Sequence, residues 1–141
     1  MAKVSMIFPQ ELEVRLSKLS DKTEEISCEV LEAGGKVACE IVRDSLDSVV
    51  GKGEHSRSTG ELQAALGVSP PKRDRDGNYN VKIGFAEPRS DGESNAKIAN
   101  IIEHGKHGQP ARPFLARAKR KLKKPVREAM IAKFNEEVGE L

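Results

Sequence analysis

An α+β fold is predicted, with a long N-terminal helix and a C-terminal helix packed on a small antiparallel β-sheet. Apolar residues recur at helical spacing from Ile26 to Val49 and again from Leu115 to Val138, whereas Tyr79, Val81, Ile83 and Phe85 alternate as a half-buried strand does. The chain has 141 residues, enough for one modest core, so a single domain spanning residues 1–141 is expected.

Taken in order, Val4–Phe8 reads as a short strand, and Pro9 opens a helical turn carrying Leu12, Leu16 and Leu19. Asp21 followed by Glu24 fits a capping box, with the aspartate accepting from the first backbone N–H groups of a long helix that runs to about Val50. Its stripe is Ile26, Val30, Ala33, Val37, Ile41, Leu46 and Val49. Gly34-Gly35 in mid-helix costs roughly 1 kcal/mol per glycine relative to alanine, which favours a backbone or side chain packed closely there over a bend. A polar loop follows over 51–58, and Thr59 caps a short turn through Leu62 and Ala65. The strand from Tyr79 to Phe85 is expected to pair antiparallel with Leu66–Ser69, leaving 72–78 as an extended connection. Ser94 caps a short helix that turns Ile98, Ile101 and Ile102 inward and stops at Gly105. In the last helix Leu115, Ala118, Leu122, Val126, Met130, Phe134 and Val138 share a face, and Pro125 predicts a kink or break near 121–124.

Apolar content of 37% with 4% aromatics and no tryptophan predicts a mostly aliphatic core that assembly could supplement. No run approaches the roughly 18 apolar residues that span a bilayer, and the N-terminus lacks the order of a signal peptide, so no membrane partner is expected. Cys28 and Cys39 fall in one helix about 16 Å apart along its axis, too far to bond to each other, and are expected to stay reduced. Net charge is divided: residues 1–71 carry 8 basic and 12 acidic side chains, residues 72–141 carry 16 and 10. A molecule that is electrically polar in this way suits head-to-tail packing of like subunits.

Catalytic chemistry finds little support. His104 and His107 stand beside Glu103, but Gly105 breaks the helix that would fix their geometry, and neither cysteine is near in sequence to complete a metal site. His55 is isolated in a loop. There is no nucleophile elbow, phosphate-cradling glycine loop or zinc signature, and neither an enzyme nor a cofactor is expected. The basic run of Arg112, Arg117, Lys119, Arg120, Lys121, Lys123, Lys124 and Arg127 contains no acid. It is read as a solvated face or a patch awaiting an acidic neighbour. Non-specific DNA contact is the alternative, since crowded cations release counterions from phosphates while the lack of interleaved aromatics argues against base stacking.

The most informative segment is Ile101 to Leu115. Pro110 and Pro113 stiffen Gln109–Arg112 into an extended strut, Pro113 opens a helix, and Phe114 and Leu115 supply an apolar anchor either for the core or for a subunit interface. The Thr59-Gly60-Glu61-Leu62 turn, the isoleucine-rich segment ending Glu103-His104-Gly105, and Ala111-Arg112-Pro113-Phe114-Leu115 together resemble the gene-product-ten-like head-tail joining proteins of long-tailed bacteriophages, also called tail-completion or neck proteins. The resemblance covers most of the chain. It implies a structural subunit of a phage or prophage tail or neck, forming a homo-oligomeric ring, with a hexamer among the expectations. Such a ring joins neck, tail-tube and terminator proteins in the virion after assembly in the host cytoplasm. Interface residues are then expected at Thr59, Gly60, Leu62, Glu103, Arg112, Pro113, Phe114 and Leu115, with Arg112 paired to an acidic group of its own or a neighbouring subunit. The runner-up is a small non-specific DNA-binding protein using the basic helix over 112–127.

Overall fold

In the computed structural model, residues 3–51, 58–87 and 89–141 are described. Two long helices, α2 (Thr23–Asp47) and α5 (Phe114–Gly139), form its backbone. They run antiparallel: Lys133 meets Glu29 near the start of α2, while the hydroxyl of Ser45 near its end donates to the Phe114 carbonyl at 2.7 Å. Around this pair lie α1 (Gln10–Asp21), α3 (Glu61–Ala65), α4 (Asn95–His104) and four short strands, β1 (Leu66–Val68), β2 (Lys72–Arg73), β3 (Tyr79–Asn80) and β4 (Ile83–Phe85). The α+β class is therefore as the periodicity predicts.

The glycine pair explains how α2 serves two neighbours at once. A Cβ on Gly34 would stand 2.7 Å from Met130 Cγ on α5, and one on Gly35 would stand 2.9 Å from Val68 Cγ1 on β1. Consecutive residues point about 100° apart on a helix, so one glycine admits the partner helix and the next admits the sheet. Close packing is the reason for both.

β1 pairs antiparallel with β4 in the register Leu66↔Phe85, Gly67↔Gly84 and Val68↔Ile83. The expected single strand from Tyr79 to Phe85 is instead two pieces. Tyr79 and Asn80 pair with Arg73 and Lys72, so 72–80 is a small hairpin and not an extended link. Asp74 closes it, its carboxylate accepting from the N–H groups of Asp76 and Asn78, with Gly77 at φ +82° in the turn.

Three local expectations are corrected. Val4–Phe8 forms no strand, and its side chains are exposed. Asp21 does not cap α2: it ends α1, Lys22 sits between the helices, and the Thr23 hydroxyl bonds back to the Leu19 carbonyl, which keeps the backbone nearly helical through the junction. Of the kink or break expected at Pro125, the break does not occur, and α5 continues to Gly139. Both Pro125 and Lys121, whose carbonyl the proline leaves without a donor, are exposed, so water can take the lost bond.

The core gathers at one end of the helix pair. Val42, Leu46 and Val49 meet Leu62, Leu66, Ala99, Ile102, Phe114 and Ala118 there, with Phe85 edge-on to Phe114 at a centroid distance of 6.4 Å. The buried stripe of α2 is Ile26, Ala38, Cys39, Val42 and Leu46, whereas Val30, Ala33, Val37 and Ile41 are only half-buried. It is rotated from the expected set because the glycines, unreadable as apolar, mark its true centre.

Candidate functional site

The strut is fastened by backbone bonds to its own turn and to α4, and by one side-chain bond to the end of α2. α4 ends at Gly105, whose φ of 78° and ψ of 176° belong to a region that essentially only glycine occupies. Lys106 and Gln109 then exchange backbone hydrogen bonds at 3.0 and 2.9 Å, closing a tight loop that turns the chain back. The Arg112 N–H donates to the Ile102 carbonyl at 2.7 Å, laying the strut beside the helix it has just left.

α5 begins without a side chain of its own to cap it, because Pro113 has none to offer. The cap comes from α4. Both carboxylate oxygens of the buried Glu103 accept from α5, from Leu115 N–H at 2.7 Å and Ala116 N–H at 3.1 Å. A negative group at a helix N-terminus satisfies orphan donors and is favoured by the helix dipole. Glu103 therefore holds two helices at a fixed angle.

Arg112 and Phe114 both turn toward their own chain. The guanidinium of Arg112 meets no acid among the described residues and donates to the Val49 carbonyl at 2.6 Å, just beyond the end of α2, where carbonyls lack helical donors. Phe114 is 0% exposed, so its ring fills the chain's own core and offers nothing to a neighbour. Leu62 and Glu103 are likewise buried, while Pro113 and Leu115 are half-buried. Of the expected interface set, Thr59 and Gly60 are exposed and, with the half-buried Arg112, reach a common surface.

That surface is a groove of about 530 Å³ between α3, α4 and the strut. Ile98, Ile101 and Leu62 contribute apolar floor, Thr59 and Gly60 one rim, and Lys106, Gln109 and Arg112 the other. Residues from three distant motifs thus converge on one cleft. Residues 52–57 of the 51–58 loop, His55 among them, lie outside the described residues. Gln63 also lines the groove, and its carboxamide oxygen is buried without a hydrogen-bond partner among the described residues.

Sequence reasoning missed the ion cluster on the groove's flank. Glu61 accepts from the Ser90 N–H and hydroxyl, which hold its carboxyl below the usual range, and Arg89 lies 3.6 Å away. Arg89 also donates to the Asn95 carboxamide, which is 2% exposed and donates in turn to the Ala86 carbonyl. Glu87 accepts from the Ala96 N–H, the Ser94 hydroxyl and the Asn95 N–H, in that order of influence, and its carboxyl too is held low. Ser94 caps α4 as expected, accepting from Lys97 N–H. Besides the local Asp91, 3.4 Å away, Arg89 finds its partners on α3 and α4, which the local pattern does not announce.

On α5, Arg117, Lys119, Arg120, Lys121, Lys123, Lys124 and Arg127 are all exposed, and none forms an ion pair among the described residues. They occupy the side away from α2. No three His, Cys, Asp or Glu side chains among the described residues come together as metal ligands, and no helix is long and apolar enough to cross a membrane. Comparison with protein-family models, curated proteins and solved structures finds no match to this chain.

Proposed function

We propose that the chain is a non-enzymatic joining subunit that binds copies of itself and other structural proteins in the tail or neck of a phage-type particle. The observation that supports this best is the convergence of the Thr59–Leu62 turn, the end of α4 and the proline strut on one groove, with each wall cross-linked to the core. A mechanical joint needs such bracing, since load on the strut passes through Glu103 to α4 and through Arg112 to α2. The groove offers a protein partner an apolar floor and exposed rim donors at Lys106.

Charge supports association of like subunits. The antiparallel pairing sets the acidic start of α2, with Glu24, Glu25, Glu29 and Glu32, beside Glu136 and Glu137, whereas the cations of α5 cluster nearer the other end. Head-to-tail contact between such ends repeats through a fixed rotation and closes as a ring. The test is electron microscopy of particles made without this chain. Separate filled heads and tails are expected, with joining restored by the added protein; normally joined, infectious particles would end the proposal.

The exposed cations of the first half of α5, from Arg117 to Arg127, which form no ion pair among the described residues, favour one second reading, non-specific DNA binding. It requires duplex affinity at physiological ionic strength that falls steeply with added salt. Charge-neutral substitution of Lys121, Lys123 and Lys124 would then weaken binding to all sequences alike.

A further inference from the structure

The N-terminal arm meets no partner strand among the described residues. Val4, Met6 and Ile7 are 92%, 91% and 92% exposed, and Phe8 is 53% exposed. The segment has the composition of a strand, yet it pairs with none. α1 carries it outward: no residue of α1 is buried, and Leu12 and Leu16 remain in solvent. So many contiguous exposed apolar side chains mark an interaction site.

The sheet offers a complementary vacancy. The Ser69 N–H donates to the Lys82 carbonyl and the Ala86 N–H to the Ala65 carbonyl. With the register of β1 and β4, those bonds make Gly67 and Gly84 the hydrogen-bonded pair between them, so the backbone N–H and C=O groups of Ile83 and Phe85 turn away from β1. β4 has no second strand neighbour, and those groups have no backbone partner among the described residues. On β1, by contrast, the Leu66 carbonyl is occupied by the Arg43 guanidinium.

Reach decides whose arm can fill this edge. Lys22, with φ −104° and ψ 8°, bends the chain between α1 and α2 without reversing it. Gln10 therefore stands on the order of 37 Å from Gly35, the residue of α2 that rests on the sheet, at a rise of about 1.5 Å per residue. Six extended residues span only about 20 Å. A second copy meets no such limit, because its arm can approach the edge from outside the molecule.

We infer that Val4–Phe8 of one copy adds as a strand to the outer edge of β4 in another, with the leucine face of α1 packing beside it. The inference rests on the part of the proposed function in which copies bind one another, and not on the virion. Strand addition takes its affinity from main-chain hydrogen bonds and its register from alternate side chains.

Amide hydrogen exchange of the full-length protein across a concentration series tests it. Amides of the 4–8 arm and those of Ile83 and Phe85 are expected to gain protection together as the protein self-associates, while Gly84 and Ala86, already bonded on the β1 side, serve as controls. Met6→Pro with Ile7→Pro, which removes arm donors of either parity, should weaken association at least tenfold while leaving the melting temperature of the dilute protein unchanged. Met6→Ala with Ile7→Ala keeps those donors and should weaken it less. Arm protection independent of concentration, association with the Ile83 and Phe85 amides unprotected, or a protein that stays monomeric would each overturn the inference. Association protected only along α5 would remove strand addition and leave the joining proposal standing; joined particles lacking the chain would do the reverse.

Discussion

At the sheet-side end of the α2–α5 pair, Leu46, Phe114 and Ala118 are sealed from solvent and three cross-links bind the chain to itself: Glu103 to α5, Arg112 to Val49 and Ser45 to Phe114. At the opposite end the same two helices meet through Lys133, within 3.1–3.6 Å of Glu29, Glu136 and Glu137, and beyond it α1 touches almost nothing. Buried apolar contacts and hydrogen bonds fix one geometry, while ion pairs still open to water contribute less and weaken with salt. One end is a rigid fixture. The other is held by ion pairs at the helix surface.

The largest effect is expected at the rigid end. Phe114→Ala removes a fully buried ring that lies against Phe85, and a cavity of that kind costs about 3–5 kcal/mol. Chemical denaturation of the dilute protein should show the loss directly. A variant within 1 kcal/mol of the parent, by the same large-to-small scale, would mean that the contrast between the ends is drawn wrongly.

Gly105→Ala comes next. A Cβ there would lie 2.8 Å from the Gln109 carbonyl oxygen and from the Ala111 nitrogen, both backbone atoms that cannot swing aside. The backbone region alone costs about 1–3 kcal/mol for a residue other than glycine. Gly108, at a φ of 78° with open space around it, is the control: alanine there carries the conformational strain without the contact, so it should cost less. Equal melting temperatures for the two variants would show that the strut yields under load.

How much of this was legible in the sequence follows from the range of each interaction. Gly34-Gly35 announced close packing because two glycines inside a strong helical pattern need a compensating contact, and Ser94 announced α4 because its acceptor serves an amide three residues on. Glu103 was visible as a helix end but not as a cap, since the amides it serves are 12 and 13 residues away, beyond a glycine and two prolines. Phe114 could be read as an anchor but not assigned to a side; only the position of Phe85 decides that. Asp21 misled because a local cap competes with simple continuation of the helix, and the Thr23 hydroxyl supports continuation. Val4–Phe8 carries a strand pattern and lacks a partner strand, which no local rule detects.

Acid separates the two ends by sign, and this is the smallest of the expected effects. Glu29 faces the Glu137 carboxyl and shares a hydrogen bond with it, which raises the Glu29 pKa and lowers that of Glu137, with Lys133 nearby also holding Glu137 ionised. A group raised in the folded state contributes stability below its unfolded pKa and loses it as pH rises, so mild acidification relieves the distal end first. Glu87 is shifted the other way, lowered by the N–H groups and hydroxyl at the start of α4. Its contribution is present above the unfolded pKa and disappears as pH falls through the lower folded value, releasing the amides of Asn95 and Ala96. Carboxyl carbon titration by NMR, with amide exchange at residues 95 and 96, should therefore find Glu29 protonating before Glu87 and the start of α4 loosening only with the second event. The reverse order would place the more responsive carboxylates at the end that buried contacts were expected to hold.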